Sequence, residues 1–174
     1  MMADLWSCFG KVLKTNKLQF CQDGKFTLKG GNKGSIYTTT ILSKNNENLV
    51  VFDVGDNSHA SFVADGYNSN CDYIFIQINS KDISFILCEL KTSNKGKTFK
   101  QLKCSIPLMH YLKQLLITHC GEGLKDLKIK HRKVLIIKDQ SQKTTIKNKP
   151  EIDNDNGVGI FYGEEFSSNE IFNQ

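Results

Sequence analysis

The sequence predicts a mixed α/β domain, with a central mixed β-sheet flanked by helices and β-hairpins towards the N-terminus. Three observations carry this. The runs CDYIFIQI (71–78) and SFILCELK (84–91) are short, apolar and rich in β-branched and aromatic residues, as strands covered on both faces are. After them the period changes, and Phe99, Leu102, Ile106, Met109, Leu112 and Leu116 recur at steps of three and four, which is a helical stripe. KVLIIKD (133–139) then returns to the short buried-strand pattern. Strand, strand, helix, strand is the grammar of a sheet with a helix packed across it.

Taken in order, residues 1–14 form an amphipathic start with Trp6, Phe9 and Val12 on one stripe. In LQFCQDGKFTL (18–28) two alternating runs flank Asp23-Gly24, a strong signal for a two-residue hairpin. KGGNKGS (29–35) has no GK[ST] ending, so it reads as a turn and not a phosphate loop. SIYTTTIL (35–42) and NLVVFDV (48–54) read as strands joined by the polar turn SKNNEN. Residues 55–70 read mostly as loop. A turn around Asn79 to Asp82 joins the two central strands. Pro107 lies inside the helical stripe and is expected to kink or split it, and Gly121 and Gly123 to end it.

The chain of 174 residues is 39% hydrophobic, enough for one domain with a real core. No apolar run approaches the ~18 residues of a membrane span. The start has no basic n-region. No CxxC pair occurs among the six cysteines, and all six read as reduced thiols. A cytoplasmic protein without a membrane segment is expected.

Charge is unevenly spread. Residues 1–90 carry 8 Lys and 9 acids, residues 91–149 carry 15 Lys/Arg and 3 acids, and residues 150–174 carry 6 acids and no Lys or Arg. The basic block could neutralise several phosphates. For any single lysine a solvated lysine-rich surface is the better reading. The organisation expected is one domain over 1–149, its core at about 50–140, followed by an acidic tail over 150–174. Within that tail DNDNG (153–157) hints at a calcium loop, but glycine falls one position early for an EF-hand.

Chemistry concentrates at the end of the second apolar run. Side chains alternate along a strand, so Phe85, Leu87, Glu89 and Lys91 share one face. A carboxylate and an ammonium thus emerge together where an apolar strand ends. Asp72 heads the preceding strand. Antiparallel pairing of the two would bring Asp72 beside Glu89 and Lys91. Two carboxylates with open positions between them suit Mg²⁺ or Mn²⁺, with the Leu90 backbone carbonyl as a further ligand. Such a cation polarises a phosphate and acidifies a bound water, and Lys91 can stabilise developing negative charge. Lys95, Lys97, Lys100 and Lys103 follow this strand and could line a groove for a nucleic-acid backbone. Lys125, Lys128, Lys130, Arg132 and Lys133 form a second basic cluster.

CDYIFIQ, FILCELKTS and FKQLKCSIPLMHYL together resemble the PD-(D/E)xK nuclease superfamily. In that pattern an Asp opens one strand, an ExK triplet ends the next, and a helix with an early Gln-Leu follows. Asp72 matches the Asp, Glu89-Leu90-Lys91 the triplet, and Gln101-Leu102 the helix motif. The resemblance covers about residues 50–140. Cys71 stands where the pattern has Pro, and no Glu precedes Glu47 to match the N-terminal-helix Glu of many members. The resemblance implies a restriction-endonuclease-like core and a Mg²⁺- or Mn²⁺-dependent endonuclease acting on DNA in preference to RNA. It implies Gln101 near the catalytic group, where it would orient Lys91 or touch a phosphate. It is compatible with an effector role in antiviral defence or a toxin system, and with a homodimer. The alternative is a catalytically idle module of the same fold that binds nucleic acid or a protein partner. In that case the acidic tail, with Phe161 and Tyr162, would be the docking segment, or would fold over the basic groove as a nucleic-acid mimic.

Overall fold

A computed structural model describes residues 7, 9–13, 15–20, 23–30, 37–43, 49–55, 70–79, 81–92, 97–120, 124–138 and 151–172. The strands are β1 (Leu18–Phe20), β2 (Lys25–Gly30), β3 (Tyr37–Leu42), β4 (Leu49–Asp53), β5 (Tyr73–Ile78), β6 (Asp82–Lys91), β7 (Lys128–Ile137), β8 (Glu151–Asp153), β9 (Val158–Tyr162) and β10 (Glu165–Ser167). The helices are α1 (Thr98–Cys120) and the short α2 (Ser168–Phe172). Residues 9–12 are also helical.

Among the described residues a seven-stranded mixed sheet has the order β1-β4-β5-β6-β7-β9-β8, and a three-stranded sheet the order β10-β3-β2. α1 is the crossover between the parallel neighbours β6 and β7, a connection that parallel strands require. The result is three layers. On one face of the large sheet, Leu102, Met109, Leu112 and Leu116 of α1 pack on Ile74, Ile76, Phe85, Leu87 and Leu135. On the other face, Phe26, Leu28, Ile41 and Phe166 of the small sheet pack on Phe75, Ile86, Cys88, Val134 and Ile136. β5, β6 and the second half of β7 are apolar on both sides because both sides are covered. The Tyr73 hydroxyl stitches the two sheets together. It accepts from the Lys29 N–H at 3.0 Å and donates to the Lys29 carbonyl at 2.9 Å.

The mixed α/β sheet and the antiparallel β5–β6 pair match the sequence expectation; several local expectations do not. Asp23 and Gly24 do adopt left-handed backbone, with φ of 50° and 73°, as a primed turn requires. Yet β1 and β2 are not a hairpin. β1 pairs with β4 in the large sheet and β2 pairs with β3 in the small one. The turn at Asp23-Gly24 carries the chain between layers, and β2 pairs antiparallel with β3 instead, with Lys29 and Gly30 of KGGNKGS inside the ladder. α1 runs unbroken through Pro107. Pro107 is on the exposed side of the helix, while buried residues before and after it hold the helix to one sheet face, offsetting the roughly 3 kcal/mol a mid-helix proline costs.

Residues 151–172 are not an appended tail. They supply β8, β9, β10 and α2, and β9 lies parallel to β7 inside the large sheet. Phe161 is only 3% exposed and belongs to the core, so it is not a docking residue. DNDNG forms the β8–β9 turn. There Asp153 accepts from the Asn156 backbone N–H at 3.0 Å and Gly157 takes φ 59°. The reading of all cysteines as reduced holds for Cys71, Cys88 and Cys104 and fails for Cys120, which is disulfide-bonded. Cys71 and Cys88 are sealed in the core, whereas Cys120 is only half-buried at the end of α1. No helix among the described residues is long and apolar enough to cross a membrane.

Two outcomes follow from this placement of the C-terminal residues. Removing residues 151–172 will abolish cooperative unfolding in urea. Phe161→Ala will lower stability by about 3–5 kcal/mol, the usual loss for a buried phenylalanine. A dispensable tail would change neither.

Candidate active site

β5 and β6 pair in the register Tyr73↔Cys88. One step beyond the ladder, Asp72 comes level with Glu89. There side-chain carboxylates take over from backbone pairing. The Leu90 N–H donates to Asp72 Oδ2 at 2.8 Å, and the Asp72 N–H donates to Glu89 Oε2 at 3.2 Å. The alternation along β6 turns Glu89 to the α1 side, with Phe85 and Leu87, while Ile86, Cys88 and Leu90 face the small sheet. Lys91 Nζ donates to Glu89 Oε1 in a close ion pair and reaches Gln101 Oε1 on α1 at 3.3 Å. Thus Asp72, Glu89, Lys91 and Gln101, singled out from sequence, converge.

The electrostatics are strained. The Glu89 side chain is 0% exposed. Burial, reinforced by the Asp72 charge, pushes its carboxyl up to about 7 despite the opposing Lys91. Asp72 is also raised, chiefly by burial and further by the Asp53 charge, against the Leu90 N–H and Lys91. Two carboxylates against one ammonium leave the cluster one negative charge in excess when both are ionised. A buried excess charge is relieved by taking up a proton or a cation. Among the described residues no group of three or more His, Cys, Asp or Glu converges as a metal cage. A cation here would have two side-chain ligands and complete its shell with backbone oxygen and water. That is how Mg²⁺ is commonly held.

The other expected residues divide. Lys97, Lys100 and Lys103 are exposed at the start of α1, the end of the helix that bears Gln101. Lys95 lies outside the described residues. Lys130, Arg132 and Lys133 stand opposite Ser84, Ile86 and Leu87, back towards the start of β6. Lys130 is level with a residue five positions before Glu89, roughly 16 Å along the strand. Each of the three has an internal partner. Lys130 pairs with Asp82 at 2.6 Å, Arg132 donates to the Ile171 carbonyl at 3.1 Å, and Lys133 donates to the Asn156 carbonyl. The side chains of this second cluster are thus engaged away from Asp72 and Glu89.

Two contributors escaped the sequence reading. Asp53, at the end of β4 beside Tyr73, adds negative charge felt by Asp72 and is paired with Lys17 at 3.9 Å. Ser105 is fully buried on α1 and bonds the backbone just before Asp72. Its signal was present: the buried stripe of α1 runs Leu102, Ser105, Met109, Leu112, Leu116, and a serine in an apolar stripe calls for a partner.

Comparison with known proteins found no matching family model, no matching curated protein and no matching solved structure.

The raised Glu89 fixes a sign. The folded state holds this proton more tightly than the unfolded chain, whose glutamate keeps its ordinary value of 4.5. Raising the pH from about 4.5 to about 7 therefore costs stability, at most on the order of 3 kcal/mol. In chelator, melting temperature will fall across that window, and Glu89→Gln will flatten the fall. An equal fall in the variant would assign it to other groups.

Proposed function

We propose that this chain is a metal-dependent nuclease with a restriction-endonuclease-like core of the PD-(D/E)xK type. The observation that carries the reading is the convergence of Asp72, Glu89, Lys91 and Gln101 at the open end of one hairpin, with the carboxylates one charge short of neutrality. Ion pairs that serve stability alone seldom bury a second carboxylate beside a matched pair.

In this reading Asp72 and Glu89, with the Leu90 carbonyl, hold Mg²⁺ or Mn²⁺. The bound cation would polarise a phosphodiester and lower the pKa of a water. Lys91 then stabilises negative charge building on the phosphorane-like transition state. Its ammonium is held by Gln101 Oε1 at 3.3 Å, so it need not reorganise as charge develops. Gln101 is itself steadied by its Nε2 contact to the Asn70 carbonyl at 3.5 Å. Lys97, Lys100 and Lys103, exposed at the same end of α1, are the residues best placed to engage a polyanionic backbone, and this supports nucleic acid as the substrate. DNA is the first substrate to test and RNA the second. The second basic cluster and residues 151–172 have structural partners and carry no part of this reading. The Cys120 disulfide removes reduced thiols as a ground for a cytoplasmic location.

The test is a cleavage assay on plasmid, linear duplex, single-stranded DNA and RNA with Mg²⁺ or Mn²⁺. Cutting that depends on the cation is expected, with a loss of roughly 100-fold or more in Glu89→Ala and in Lys91→Met. Nucleic-acid binding without cutting by the wild type would point instead to an idle module of the same fold.

A further inference from the structure

Asp72 lies outside the strand ladder, which begins at Tyr73. Its carbonyl accepts from the Val54 N–H at 3.0 Å, which leaves the peptide on its N-terminal side to be held by something else. The peptide before it is pinned from the opposite layer. The Cys71 N–H donates to Ser105 Oγ at 2.7 Å, and Ser105 Oγ–H donates to the Gln101 carbonyl at 2.9 Å. Ser105 is 0% exposed. Its only proton is committed one turn back along α1, a bond that a helical serine readily makes. Its lone pair is then turned outward and demands a donor, and the Cys71 N–H is that donor. Gln101, one turn before Ser105, reaches Asn70 on one side and Lys91 on the other. The helix thus grips both the segment that presents Asp72 and the side chain that neutralises Glu89.

We propose that Ser105 is a positioning residue that sets the separation of the Asp72 and Glu89 carboxylates, and with it the affinity of the site for a divalent cation. The inference rests on the metal-centre reading above. Ser105 touches neither cation nor substrate. Without its hydroxyl the Cys71 N–H loses its partner in a dry environment, where an unsatisfied amide is costly. The segment from Asn70 to Asp72 must shift to regain one. Supporting groups of this kind commonly change metal affinity by 10–100-fold.

The experiment is Mn²⁺ titration by calorimetry and by the electron paramagnetic resonance signal of the free ion, with folding checked by circular dichroism. The proteins are wild type, Ser105→Ala, Ser105→Thr, Ser105→Cys and Glu89→Ala. Ser105→Ala is expected to weaken Mn²⁺ binding at least about tenfold while remaining folded. Ser105→Thr keeps the hydroxyl and is expected to restore binding to within about threefold of wild type. Ser105→Ala that binds Mn²⁺ like the wild type, even with a lower melting temperature, overturns the proposal, because the serine then serves stability alone. Should Ser105→Ala not fold, Ser105→Cys answers the question: its thiol fills the space but accepts poorly, so undiminished binding would again overturn the proposal. Failure of the metal-centre reading looks different. In that case the wild type binds Mn²⁺ no better than Glu89→Ala, and the role of Ser105 falls with it.

Discussion

Antiparallel pairing of β5 with β6 sets Tyr73 opposite Cys88 and, one step on, brings Asp72 level with Glu89. The rest of the molecule depends on that pair. It needs two apolar strands at the centre of a sheet, and central strands need both faces covered. α1 covers one face and the small sheet the other. The same α1 is the crossover that makes β7 parallel to β6. One helix therefore closes the core, extends the sheet and delivers Gln101 and Ser105 to the end of the hairpin.

The polar cluster survives in this dry setting because its donors and acceptors answer one another. Both carboxylates accept a backbone N–H from the other strand. Lys91 supplies one positive charge, and Gln101 occupies its remaining reach on the helix side. What stays unbalanced is charge. Burial and mutual repulsion lift Glu89 to about 7. Such an arrangement costs folding free energy, and proteins keep costly arrangements where a ligand or a reaction offsets them. A divalent cation is the simplest ligand that reverses the sign of the cluster.

The small sheet and the C-terminal strands show where local signals mislead. Asp23-Gly24 has the chemistry of a hairpin turn and its backbone angles, yet its flanking strands belong to different sheets. A turn specifies the direction of the chain over a few residues, while pairing is decided by which partner buries more apolar surface. The acidity of residues 151–172 sets them apart in the sequence, but Val158, Ile160 and Phe161 stand among those acids and glycines and are buried on the two faces of the large sheet. Net charge reports what faces solvent, and a strand needs only its apolar residues inside.

Sequence alone determined the mixed α/β class, the β5–β6 hairpin, the faces of β6 and the meeting of Asp72, Glu89 and Lys91. These rest on short-range periodicity and on the geometry of adjacent strands, which act over one turn or one strand spacing. Tertiary structure alone decided that Lys130, Arg132 and Lys133 sit back along the sheet from the carboxylates, that β9 enters the sheet beside β7, and that Ser105 grips the peptide before Asp72. Those depend on the register of a parallel pair across a long crossover and on contacts between layers. No local pattern encodes such distances, because they are set by how whole elements pack.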